Sequence, residues 1–164
     1  MGRKSPNPLG LRDMAGNVWE WVWDGYDASY YASSPSVDPL GPDSGSERVI
    51  RGGAWNSWAL DCRAASRQSS AAAFRRSNLG LRYARTAPIQ GMALIPPGSF
   101  TMGSPDDEPG RNPDDREGPL HTVDVTRGLL MKRSEVTQRE WEEVMGSNPA
   151  RHTRCGPDCP VERV

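Results

Sequence analysis

The chain has 164 residues and a formal net charge of -1 at pH 7, enough length for one compact domain or two small halves and no basic surplus for nucleic acid or an anionic membrane. No apolar run is long enough to span a bilayer and no charged-then-apolar leader is visible, so neither a membrane nor a nucleic-acid partner is expected and the lean is cytoplasmic. Seventeen glycines and 15 prolines favour short strands and ordered loops over helices, while six tryptophans supply burial that disordered chains lack.

Residues 1–8 read as irregular. Trp19, Trp21 and Trp23 alternate with Val18, Glu20, Val22 and Asp24, which predicts a strand over 17–23 with the rings in a core. Residues 25–47 read as a long loop, and 48–51 as a short strand ended by Gly52-Gly53, a pair that permits a turn or close approach. A strand is expected over 61–67, a polar loop over 68–77, and a last strand carrying Leu79, Leu81 and Tyr83. Residues 85–91 read as a linker. Pro96-Pro97-Gly98 then predicts a turn between short strands at Leu94-Ile95 and Ser99 to Met102. The acidic stretch 103–119, with Asp106, Asp107, Glu108, Asp114, Asp115 and Glu117, reads as a solvated loop. Strands are expected at Thr122 to Val125 and Leu129 to Lys132.

One helix is well marked. Thr137 is an N-cap, Glu140 completes a capping box, and Val136 with Trp141 suits a hydrophobic staple. Trp141, Val144 and Met145 fall on one face, read as core, and Gly146 ends the helix.

Several of these stretches resemble one family. Leu9 to Asp24, Arg48-Val49-Ile50-Arg51-Gly52-Gly53-Ala54-Trp55 and Asn78-Leu79-Gly80-Leu81-Arg82 resemble the C-terminal half of the formylglycine-generating enzyme (sulfatase-modifying factor) domain. Ala93 to Ser104 and Glu135 to Trp141 resemble its N-terminal half. The resemblance therefore assigns 1–87 to the C-terminal half and 88–164 to the N-terminal half, in reversed order and without the middle region. A circular permutant, a tandem-domain junction and a truncated reading frame all remain open. A swapped or tandem partner would then supply the middle. The implied fold is α+β, the formylglycine-generating-enzyme variant of the C-type lectin-like fold, with short twisted strands and long loops.

The resemblance also directs attention to metals. Catalytic members carry two cysteines after the Arg-Gly-Gly turn that bind copper and activate dioxygen, because copper(I) prefers soft thiolates. Here Ser57 stands where the first would fall, and Cys62 is the remaining thiol. The expectation is thus no catalytic residue, with an oxidoreductase converting a target cysteine to formylglycine as the competing reading. A second expectation is calcium, held by the Asp13 side chain, the Gly16 and Val18 carbonyls and the Glu20 carboxylate; hard oxygen donors around a glycine turn suit that ion. The alternative is that Asp13 caps the turn and Glu20 pairs with Arg12 or Arg51. Read for acid–base work, the two carboxylates find no third group converging on them. His152, Cys155 and Cys159 offer three zinc ligands where a structural site wants four, so a small disulfide or two free thiols is expected there. The resulting expectation is a calcium-stabilised binding or scaffold module for a protein or peptide ligand, with a gene fragment as a further class.

Overall fold

A computed structural model describes residues 2, 4–42, 45–85, 91–111 and 117–164. In chain order the elements are β1 (Trp19–Gly25), α1 (Tyr30–Ser33), β2 (Glu47–Arg51), β3 (Gln68–Ala71), β4 (Leu79–Leu81), β5 (Ala84–Arg85), β6 (Met92–Ile95), β7 (Gly98–Met102), β8 (His121–Val125), β9 (Leu129–Lys132) and α2 (Gln138–Met145). Short strands in small sheets with one substantial helix make the fold α+β.

The strands form three sheets. The largest is ordered β3-β2-β1-β4, with β1 antiparallel to β2 and parallel to β4. The second is β5-β9-β6 and the third is the β7-β8 pair. The turn at Pro96-Pro97-Gly98 thus hands the chain from one sheet to another, so β6 and β7 do not pair with each other.

The core of the largest sheet is Trp19, Ile50, Ala54 and Leu79, with Trp21 packed against it. The aromatic alternation of β1 is only partly buried: Trp23 is 85% exposed. It lies beyond the β4 pairing, which ends at Trp21–Leu81, and Arg48 lies over its ring at 5.9 Å. The strand expected over 61–67 is instead a 3-10 turn at Ala59–Cys62, and the strand lies in β3, inside the expected polar loop. Its serines give no hydrophobic alternation; backbone pairing to β2 and a Ser69–Glu47 hydrogen bond hold it.

Helix α2 starts and stops as its caps dictate. Thr137 accepts from the Glu140 N–H, the Glu140 carboxylate accepts from the Thr137 N–H, and Gly146 takes the left-handed conformation at φ 73°. Its apolar face, however, is not core. Val144 is 80% exposed, Met145 is also exposed, and Gln138 is the buried residue of the helix. Gln138 is taken inward because its amide reaches the His152 and Pro160 carbonyls.

The boundary expected at residue 87 lies outside the described residues. Backbone bonds join the chain on either side of it: Arg12 N–H to the Arg133 carbonyl, Val136 N–H to that of Leu81, and Lys132 N–H to that of Tyr83. Gly80 shows how close this contact is, since a Cβ there would lie 2.5 Å from the Val161 carbonyl oxygen. The acidic stretch is not simply solvated. Glu117 is buried and Arg63 bridges it to Glu108, while Asp114 and Asp115 lie outside the described residues. No helix among the described residues is long and apolar enough to cross a membrane.

Candidate functional site

The turn before β1 is built from three left-handed residues: Asp13 (φ 55°), Gly16 (φ 87°) and Asn17 (φ 72°). Only glycine adopts that region freely, and aspartate and asparagine tolerate it better than other side chains. The turn is fastened to the Gly52-Gly53 turn. Gly16 N–H donates to the Gly52 carbonyl at 2.7 Å, and Trp55 N–H donates to that of Asn17 at 2.8 Å. The two sequence motifs that carried the resemblance are therefore one structural unit.

The four residues expected to hold calcium lie in or just after this turn. The Asp13 carboxylate accepts at 2.5 Å from the N–H of Gly2, a residue outside the turn. Glu20 pairs with Arg82, and not with Arg12 or Arg51. Arg51 is instead the backbone partner of Glu20 across the β1–β2 ladder, and Arg12 donates to the Gly2 and Lys4 carbonyls. Asp13 and Glu20 are close enough to repel. Burial, chiefly, raises the Glu20 pKa; Arg82 opposes that rise and the Asp13 charge adds to it. The two carboxylates beside the glycine turn thus repel each other, and both oxygens of Glu20 are already engaged by Arg82.

Sequence reasoning missed the charge node behind this turn. The Arg82 side chain is 2% exposed and lies between Glu20, at 2.7 Å, and the fully buried Glu135, at 3.8 Å. It also donates to the Lys132 and Arg12 carbonyls. Glu135 accepts from the Asn17 side-chain amide at 2.5 Å. One guanidinium thus faces two carboxylates. Burial is the main cause that pushes Glu135 up to about 7, and repulsion from Glu20 contributes, against hydrogen bonding from Asn17 and the pull of Arg82. The available signal was the placement of Arg82 and Glu135 inside the quoted motifs. Nothing in their local spacing shows that they meet.

The lone thiol after the glycine pair sits where a side chain would otherwise be. Cys62 is half-buried and free, and a Cβ on Gly53 would lie 2.6 Å from its sulfur. Ser57 is engaged within its own turn, its Oγ accepting from the Ala54 N–H at 3.0 Å. Cys155 and Cys159 are disulfide-bonded to each other. His152 does not join them as a ligand set; its ring meets Trp55 edge-on, with centroids 5.9 Å apart. Among the described residues no three histidine, cysteine or acidic side chains are grouped to hold a metal.

Comparison with known proteins settles the family. The model of the sulfatase-modifying factor enzyme 1-like domain matches residues 1–87 and, separately, 84–163. The chain belongs to this family. Within it, the formylglycine-generating enzyme of Streptomyces coelicolor is 45% identical over 87 residues, covering 51% of this chain and 28% of that protein. The formylglycine-generating enzyme of Thermomonospora curvata is 46% identical over 54 residues, 31% of this chain and 18% of the enzyme. The serine/threonine-protein kinase pkn1 of Chlamydia pneumoniae is 44% identical over 82 residues, covering 49% of this chain and 13% of the kinase. A solved structure, Treponema denticola variable protein 1, aligns with a TM-score of 0.45 and 43% identity over 48% of this chain and 28% of that one. The chain thus spans less than a third of the length of each of these relatives.

Proposed function

We propose that this is a non-catalytic member of the family, a calcium-stabilised binding or scaffold module for a protein or peptide ligand. The observation that carries this reading is at residue 57. Where the resemblance asks for the first copper-binding thiol stands a serine, and its hydroxyl is used inside the turn by the Ala54 N–H. A hydroxyl is a poor ligand for a soft ion, and one thiolate from Cys62 leaves copper without its pair. The competing reading, an oxidoreductase that converts a target cysteine to formylglycine, takes its support from the names of the relatives.

On this reading Asp13, Gly16, Val18 and Glu20 hold calcium, and the ion relieves the repulsion between the two carboxylates. The test is thermal unfolding with calcium and with chelator. Calcium is expected to raise the melting temperature of the natural chain and to leave the Asp13→Ala/Glu20→Ala variant unmoved. An equal rise in both would place the ion elsewhere.

We further propose that 1–87 and 88–164 are the C-terminal-like and N-terminal-like halves of one family domain, and that a swapped or tandem copy covers the surface the middle region would occupy. Separate family matches to each segment support the first point. The exposure of Trp23, Val144 and Met145 supports the second.

A further inference from the structure

Two clefts open beside the Gly52-Gly53 turn, and Ser77 lines both. The first, of about 590 Å³, brings together Arg75, Arg76, Arg151 and Arg163 with Asn56 and Asn78. These arginines come from two stretches more than 70 positions apart, so the fold gathers them. Arg163 is placed by its backbone: its N–H donates to the Arg76 and Leu79 carbonyls while its φ is 66°. That conformation costs a non-glycine residue roughly 1 kcal/mol. Arg76 lies over the Phe74 ring at 4.5 Å. Among the described residues none of the four makes an ion pair. Four like charges in one cleft repel until an anion enters.

The second cleft, of about 370 Å³, is more apolar and includes Trp55, Pro160 and the Cys155–Cys159 disulfide in its lining. Trp55 is 63% exposed, a large apolar surface left open to a partner. Glu162 also lines this cleft and is only 2% exposed. Its Oε1 accepts from the His152 N–H at 2.8 Å, but its Oε2 has no hydrogen-bond partner. A buried acceptor left in that state is destabilising, and a donor brought by a ligand would satisfy it.

We propose that the joined clefts bind an acidic peptide segment. Its side-chain carboxylates pair with Arg75, Arg76, Arg151 and Arg163, a neighbouring apolar side chain packs on Trp55 and Pro160, and a peptide N–H donates to Glu162. This rests on the binding-module reading and names its ligand class. A basic peptide is excluded by the four guanidiniums. A polyphosphate strand offers no apolar group for Trp55 and no N–H donor for the Glu162 Oε2.

The test is fluorescence anisotropy with a fluorescein-labelled peptide holding one leucine among four aspartates and glutamates. The comparison peptides carry asparagine and glutamine, or lysine, in place of the acids. The acidic peptide is expected to bind at least tenfold more tightly than either, and more weakly as salt rises. Arg75→Glu/Arg76→Glu should weaken it at least tenfold, Arg75→Lys/Arg76→Lys should retain most of the affinity, and Trp55→Ala should weaken it severalfold. Equal affinity for the acidic and amide peptides, or no effect of the charge reversal, overturns the proposal. So does displacement by inorganic phosphate with Trp55→Ala neutral, which would mark a simple anion site. Melting with calcium and an aldehyde assay on the same preparation separate the two levels. Lost peptide selectivity with the calcium shift intact removes the clefts alone, whereas aldehyde formation removes the underlying reading.

Discussion

Arg82 grips Glu20 through three hydrogen bonds, one from Nη2 at 2.7 Å and one from Nε to each carboxylate oxygen at 3.1 Å. This pair ties β1 to the residue that follows β4, and Glu135 on the far side of the guanidinium brings in the segment before α2. Arg82 thereby reinforces a junction between the turn that carries Asp13 and the segment that carries Glu135, alongside the Arg12 N–H to Arg133 carbonyl and Asn17–Glu135 hydrogen bonds.

Removing that side chain leaves two buried carboxylates unpaired. Arg82→Ala is expected to destabilise the protein by about 3–5 kcal/mol. Arg82→Lys keeps the charge but not the planar fork and should recover only part of the loss. Urea unfolding followed by tryptophan fluorescence measures both. A loss below about 1 kcal/mol in the alanine variant, the range of an exposed pair, would show that the node does not hold the segments together.

Glu135 makes stability depend on pH in a definite direction. Its pKa in the folded state is pushed up from 4.5 to about 7, so between those values the folded state binds more protons than the unfolded one. Its contribution is fully present below the unfolded value and is lost as pH rises through the folded one, on the order of 3 kcal/mol in all. Glu135→Gln should therefore flatten the fall in melting temperature between about pH 4 and 8, a range that brackets the roughly 4.5-to-7 window. An identical slope in both proteins would contradict the assignment.

Gly53 is constrained twice, by its left-handed backbone and by the Cys62 sulfur. Gly53→Ala should cost about 1–3 kcal/mol. Cys62→Ala in the same chain should return the part due to the contact and leave the part due to the backbone. The four proteins of this double-mutant cycle are compared by chemical unfolding; strict additivity would mean that the sulfur does not press on Gly53.

Much of the fold is legible in local pattern. The capping box of α2, its glycine stop, the ladder at Glu47–Arg51 and the strand at His121–Val125 follow from residues within a few positions of each other. β3 is not legible, because Gln68, Ser69 and Ser70 are placed by pairing to β2 and not by hydrophobic alternation. Trp23 and Val144 mislead for the opposite reason, since an apolar side chain at the right period says nothing about whether a neighbour covers it. At the site, Asp13, Gly16 and Gly52-Gly53 announce turns, but Arg82 and Glu135 are 53 positions apart and meet only in three dimensions.

The central claim is that one thiol cannot support the copper chemistry of the catalytic relatives. The most direct measurement loads the purified chain with copper(I), removes unbound metal, and incubates it with dioxygen and a cysteine-bearing peptide, with metal analysis and peptide mass read together. The account predicts no stoichiometric copper and an unchanged cysteine. One copper per chain, lost in Cys62→Ala, together with conversion of the peptide cysteine to an aldehyde, would contradict it.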